Sequence, residues 1–244
     1  MGALAGLRAP VFEIGLKGYA YGADAVRLAR AADEVSGELG VSIVFDPQAV
    51  DIAAVARATR NILVFAQHID PVMPGRGVGS VLAEAVKEAG AVGVMLNHSE
   101  RPLTLSDINR SIGRAREVGL ATMVYADAPE EAAALAMLGP DIILAEPPDL
   151  IATSRSAATE MGGFVERAVE LVGRIDPGII VMCGAGVQSP ADVAAMMALG
   201  VGGTGSSSGI LRAADPIATM RSMITAMHRA WLELHPAAAT TDRG

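Results

Sequence analysis

Three residues in this 244-residue chain have the types and surroundings needed for proton transfer beside a carbonyl group: Glu146, His98 and Lys17. Glu146 follows the apolar run Ile142-Ile-Leu-Ala145 and precedes Pro147-Pro148. Apolar flanks desolvate a carboxylate, which raises its pKa and makes it a stronger base. The two prolines stiffen the chain behind it. His98 lies in Asn97-His98-Ser99-Glu100, where a helix is expected to begin. The positive end of such a helix would keep the imidazole neutral and able to donate a hydrogen bond. Lys17 offers a point charge for a phosphate or a developing oxyanion. His68 and Asp70 could both bind a metal, but two ligands at that spacing do not make a site; a structural or interface role is expected, and no metal.

These side chains must be positioned by regular elements, and the sequence alternates short apolar runs with longer amphipathic ones. Strands are expected at Val11–Leu16, Val41–Phe45, Ile62–Ala66, Val92–Leu96, Ala121–Tyr125, Ile142–Ala145, Ile179–Met182 and Val201–Ser206. Helices are expected near 23–39, 48–59, 79–89, 105–118, 129–138, 162–174, 190–199 and 215–234. All the strands but the last read as near-continuous apolar runs, as strands buried on both faces do. Ser106 and Asp107 can cap the fourth helix, and Ser189 the seventh, ahead of Pro190 at its first position. Strict alternation of strand and helix leaves a closed barrel or a doubly wound open sheet. In a barrel, Lys17, His68, His98, Glu100 and Glu146 would share the rim at the carboxyl ends of the strands.

The last strand, Val201-Gly-Gly-Thr-Gly-Ser-Ser-Ser-Gly209, has almost no bulky side chain. Glycine in a strand marks close approach of a backbone or ligand. The segment ends in Ser207, Ser208 and Gly209, and the turn before it contains Gly184, Ala185 and Gly186. Together these form a nest of backbone donors suited to phosphate.

Composition narrows the partners. Aromatic residues make up 3% of the chain, so the core must be aliphatic and methionine-rich. A net charge of -8 argues against nucleic acid. The single cysteine, Cys183, permits neither an internal disulfide nor a cysteine-cluster metal site, and reads as a small buried hydrophobe. Neither a signal peptide nor a run of 18 apolar residues is visible, so a soluble cytoplasmic protein with no membrane partner is expected. Residues 1–235 read as one domain and 236–244 as a disordered tail.

Ala66-Gln-His-Ile-Asp70, Glu84–Gly93, Leu96-Asn-His-Ser-Glu100, Glu146-Pro-Pro-Asp-Leu-Ile151 and Cys183-Gly-Ala-Gly-Val187 resemble, in order and spacing, the triosephosphate isomerase family, specifically its archaeal branch. The resemblance spans nearly the whole chain. It implies a single-domain (β/α)8 barrel of the α/β class, an aldose–ketose isomerase of glycolysis and gluconeogenesis, no cofactor, and a homo-oligomer, dimer or tetramer. By resemblance Glu146 is the base, His98 the electrophile, Lys17 an electrostatic support and Glu100 the carboxylate beside the histidine. Ser99 assists, residues 147–156 with Ile151 form a lid, and backbone near Ala152, Gly186, Ser208 and Gly209 holds phosphate. The glutamate base with a neutral histidine is an established pattern for this family.

The chain departs from the family pattern at three places. Gly15 replaces an asparagine two residues before the lysine, which enlarges the pocket. The lid reads Ile151-Ala-Thr-Ser154 in place of Ile-Gly-Thr-Gly, and alanine and serine do not readily take the positive φ angles open to glycine. The last strand is richer in glycine and serine. Interconversion of dihydroxyacetone phosphate and glyceraldehyde 3-phosphate is the leading reading. Isomerisation of another short sugar phosphate, such as a four-carbon one, and a non-catalytic phosphate-ligand binding protein are the alternatives.

Overall fold

The computed structural model describes residues 6–147 and 162–236. Eight parallel strands close into a barrel in chain order. They are β1 (Val11–Gly15), β2 (Ser42–Asp46), β3 (Leu63–Ala66), β4 (Gly93–Leu96), β5 (Ala121–Ala126), β6 (Ile142–Ala145), β7 (Ile180–Met182) and β8 (Gly203–Gly205). Closure is made by β1 against β8, with Val11 opposite Gly203 and Glu13 opposite Gly205. That pairing excludes the open doubly wound sheet.

The helices alternate with the strands: α1 (Ala23–Leu39), α2 (Ile52–Ala58), α3 (Ala83–Glu88), α4 (Leu105–Val118), α5 (Pro129–Ala136), α6 (Gly162–Ile175), α7 (Pro190–Ala198), a short α8 (Ser208–Leu211) and α9 (Pro216–Leu234). Among the described residues no helix is long and apolar enough to cross a membrane.

Several boundaries differ from the sequence reading for local reasons. The element expected at 48–59 is a 3-10 turn, Ala49–Asp51, followed by α2. The one expected at 79–89 begins only at Ala83, because both backbone groups of Val81 are already engaged by Asp70. The Val81 N–H donates to Asp70 Oδ2 at 2.7 Å, and its carbonyl accepts from the Asp70 N–H at 2.9 Å. α4 is capped by Thr104, whose hydroxyl accepts from the Asp107 N–H at 3.1 Å, and not by Ser106 or Asp107. Ser189 caps α7 as expected. The short α8 was not legible in the glycine–serine segment. Of the expected tail, only Pro236 lies within the described residues.

Side chains alternate along a strand, so each strand presents one set of residues to the barrel interior and the other to the helices. Phe12 and Ile14 of β1 and Ile43 and Phe45 of β2 pack against the helices. Val11, Val44, Phe65, Met95, Met123, Tyr125, Ile142, Leu144 and Met182 fill the interior. The same parity turns Glu13 and Gly15, Asp46, Gln67, Glu146 and Gly184 inward. Glu13, the one polar residue in the first near-continuous apolar run, and Asp46, one residue beyond the expected end of the second, are both buried.

Large interior side chains need glycine opposite them. A Cβ on Gly93 would lie 2.3 Å from the Phe65 ring, which is fully buried. Gly203 and Gly205 have the same function toward β1: a Cβ there would meet Val11 backbone at 2.3 Å or Glu13 Oε2 at 2.4 Å. The glycines of β8 are thus explained by packing, although Gly205 also lines a cavity together with the serines beyond it. Replacing Gly93 with Ala should destabilise the protein by about 1–3 kcal/mol, the cost of overpacking. A lower midpoint in thermal or urea unfolding will check this; an unchanged midpoint would mean that Phe65 moves freely.

Candidate active site

Glu146 is the first residue past β6 and continues the inward set Ile142, Leu144. Its N–H donates to the Ala126 carbonyl at 2.9 Å, which fixes the backbone across β5 and β6. Burial raises its pKa to about 7; the nearby Glu13 charge adds to the rise and Lys17 partly opposes it. A carboxyl poised near neutrality is matched to taking and returning a proton.

Lys17, two residues past β1, has left-handed backbone with φ 46°. That conformation costs a non-glycine residue on the order of 1 kcal/mol or more. It is held by two side-chain amides, Gln48 and Gln67, that both donate to the Lys17 carbonyl. Gln67 also donates to the Asp46 carbonyl at 2.9 Å, joining the ends of β1, β2 and β3. The Lys17 ammonium lies 2.7 Å from Glu100 Oε1, and this hydrogen bond keeps the Glu100 carboxyl below its usual pKa.

His98 packs edge-on against Tyr125, with ring centroids 4.8 Å apart. Its Nδ1 accepts a hydrogen bond from the Glu100 N–H at 3.0 Å, so the neutral ring carries its proton on Nε2. Burial, and secondarily the Lys17 charge, lower its pKa to about 4. The expected neutral imidazole is present, but not because of a helix end: α4 starts only at Leu105. Asn97 keeps the intervening loop out of helix. It adopts φ 60° and bridges β4 to β5 and to Leu103, donating to the Tyr125 carbonyl at 3.0 Å and accepting from the Leu103 N–H at 2.9 Å. Burial does the work assigned to a dipole, and one backbone N–H sets the tautomer.

Glu146, His98, Lys17 and Glu100 line a single cavity of about 340 Å³ together with Gly15, Gly184 and Ser207. A smaller adjoining cavity of about 40 Å³ is lined by Gly184, Ala185, Gly186, Ser207 and Ser208. Two buried hydroxyls tie β8 to the turn after β7: Thr204 donates to the Cys183 carbonyl and Ser206, which lines the cavity, to the Val187 carbonyl, each at 2.7 Å. Gly209 lines neither cavity; a Cβ there would lie 2.7 Å from the Val187 carbonyl, so it allows close packing behind the wall. Ser99 also lies outside the lining. Ile151, Ala152 and all of the expected lid beyond Pro147 fall outside the described residues.

Cys183 is buried, which pushes its thiol up to about 12, in keeping with a small hydrophobe. His68 Nε2 lies 3.1 Å from Asp70 Oδ1, and among the described residues no group of three or more acidic, histidine or cysteine side chains could hold a metal. Among the lining residues that sequence reasoning missed are Glu13, Asp46, Tyr125, Gln48 and Gln67. A lone glutamate inside Val11-Phe-Glu-Ile14 and an aspartate closing β2 were the available signals. Glu13 and Asp46 face each other, and burial raises the pKa of both, that of Asp46 most strongly. Two buried carboxyls so placed share a proton.

An acid of raised pKa, a neutral imidazole and an ammonium at the carboxyl ends of barrel strands define an enzyme of the (β/α)8 class. Residues 14–227 match the family model described as triosephosphate isomerase. The triosephosphate isomerase of Methanobacterium bryantii is 38% identical over 218 residues, covering 88% of this chain and 96% of the relative. That of Pyrobaculum calidifontis is 41% identical over 212 residues, covering 86% and 92%. The crystal structure of triosephosphate isomerase from Bartonella henselae superposes with a TM-score of 0.68 at 20% identity, over 88% of this chain and 99% of that one, a likeness of fold. This chain belongs to the triosephosphate isomerase family, and it is an isomerase.

Nitrogen NMR of labelled histidine should show His98 as the Nε2–H tautomer throughout pH 5.5–9, titrating only near 4. A midpoint near the ordinary histidine value would contradict the environment described.

Proposed function

We propose that this protein interconverts dihydroxyacetone phosphate and glyceraldehyde 3-phosphate through an enediolate. The observation that carries the reading is a desolvated carboxyl, Glu146, with its pKa near 7, in one cavity with a neutral His98 and the Lys17 ammonium. Glu146 removes the proton from the carbon beside the carbonyl. His98 Nε2–H and Lys17 stabilise the negative oxygen that develops, and Glu146 returns the proton to the neighbouring carbon. The substrate phosphate occupies the smaller cavity formed by the turns after β7 and β8, at Gly184, Ala185, Gly186, Ser207 and Ser208. Glu100 holds Lys17 in place. Family membership supports this substrate class over the four-carbon and non-catalytic alternatives taken alone.

We also place the protein in the cytoplasm as a homo-oligomer. Exposed Val50, Met73 and Val78, which follow β2 and β3, are the apolar side chains that a second copy would cover.

Glu146→Gln should lower kcat/KM for triose phosphates by at least about 10²-fold, in line with loss of a general base. Unchanged rates would remove Glu146 from that role. For the wild-type protein, kcat/KM should fall as pH drops through about 7, because protonation of the raised Glu146 carboxyl removes the base. A profile flat down to pH 5 would contradict this.

A further inference from the structure

The phosphate end of the site is short of positive charge. Among the described residues that line the smaller cavity the one cation is Lys17, and its ammonium lies 2.7 Å from Glu100. Glu146 lines the same cavity, and the whole chain carries a net charge of -8. A phosphate monoester must enter as a dianion against that field. Backbone N–H groups can hold such an ion, but they bring no net charge to offset it.

Tyr19 stands where the cavity meets solvent, since it lines the wall and is 41% exposed. Arg212 lies over its ring, with the guanidinium carbon 5.1 Å from the ring centroid, within cation–π reach. Arg212 Nη2 also donates to the Tyr19 hydroxyl at 3.3 Å. The Arg212 side chain is exposed, and that hydroxyl is the one polar partner of its guanidinium among the described residues. Its charge is therefore not committed to a carboxylate, whereas Arg114 and Arg221 are each paired with two glutamates.

The backbone turns this side chain toward the cavity. Arg212 follows α8, and its N–H donates to the Ser208 carbonyl at 3.1 Å, so the two residues stand one helical turn apart. Residues four apart share a face, and helical side chains lean back over the preceding turn. Ser208 lines the cavity. Arg212 thus touches one lining residue, Tyr19, and leans toward another.

We propose that Arg212, held against Tyr19, is a second cation of the phosphate site, which draws the substrate phosphate in and pairs with it at the rim. The proposal rests on the reading of the smaller cavity as the phosphate seat. Tyr19 is a positioning residue: its ring and hydroxyl hold a planar fork that would otherwise move freely in solvent. One Nη on the hydroxyl leaves the remaining N–H donors for phosphate oxygens.

Calorimetry with glycerol 3-phosphate, which has the phosphate but no reacting carbonyl, tests this apart from turnover. Arg212→Gln should weaken its binding about fivefold to tenfold, the range of a hydrogen bond to a charged group. In about 1 M salt, where the screening length is about 3 Å, that loss should shrink below about threefold. Arg212→Lys, which keeps the charge but not the fork, should fall between the two proteins. Arg229→Gln, an equal change of charge at an exposed position of α9, should leave the affinity unchanged. Tyr19→Ala should weaken binding in the wild-type background and add little in Arg212→Gln, because the two act as one unit. Additive losses would overturn the positioning role of Tyr19. Wild-type affinity in Arg212→Gln, or an equal loss in Arg229→Gln, would overturn the second cation. Absence of triose phosphate turnover, with the calorimetric differences intact, would bring down the proton-transfer reading and leave Arg212 in its place.

Discussion

Closing eight parallel strands into a barrel removes water from its interior, and inward-facing groups must then find partners within the barrel or change their ionisation. The interior holds three carboxyls, the buried Glu13 and Asp46 and the partly exposed Glu146. Burial raises the pKa of all three, and Glu13 adds to the rise at both Asp46 and Glu146, so the raised pKa of the candidate base follows from the shape of the fold as much as from its own neighbours. His98 responds to the same exclusion of water in the opposite sense: a partly desolvated imidazole loses its charge, and its tautomer is set by one backbone N–H.

Lys17 counterbalances these acids, and its placement costs backbone strain. The amides of Gln48 and Gln67 hold its carbonyl, and Glu100 holds its ammonium. The cation is thus fixed from β2, β3 and the β4 loop, although it belongs to β1. Such distribution of support over several strands is what lets a barrel rim vary in shape while its reacting groups stay put.

Much of this could be read before any coordinates. The order of elements, their approximate limits and the positions of Lys17, His98, Glu100 and Glu146 follow from apolar periodicity and from which residues end the strands. What escaped was set by contacts distant in sequence. Reading Val11–Leu16 as an apolar run hid Glu13, because only barrel closure against β8 shows that its side chain turns inward and that Gly205 makes room for it. Asp46 looked like the start of a loop until the register with Gly15 put it in the wall. The neutral state of His98 was anticipated, but its cause was assigned to a helix that starts later. Asn97 delays that helix through bonds to Tyr125 and Leu103, which no local pattern reveals.

The contact of Glu13 with Gly205 joins the first strand to the last. During synthesis the N-terminal strand emerges long before its neighbour exists, so the acid-lined floor and the serine turns beside it come together only when the chain is nearly complete. A half-made barrel would present Glu13 to water as an ordinary carboxylate, and Glu146 would lose the enclosure that raises its pKa. The cavity and the enclosure around Glu146 therefore exist only once the ring of strands is sealed.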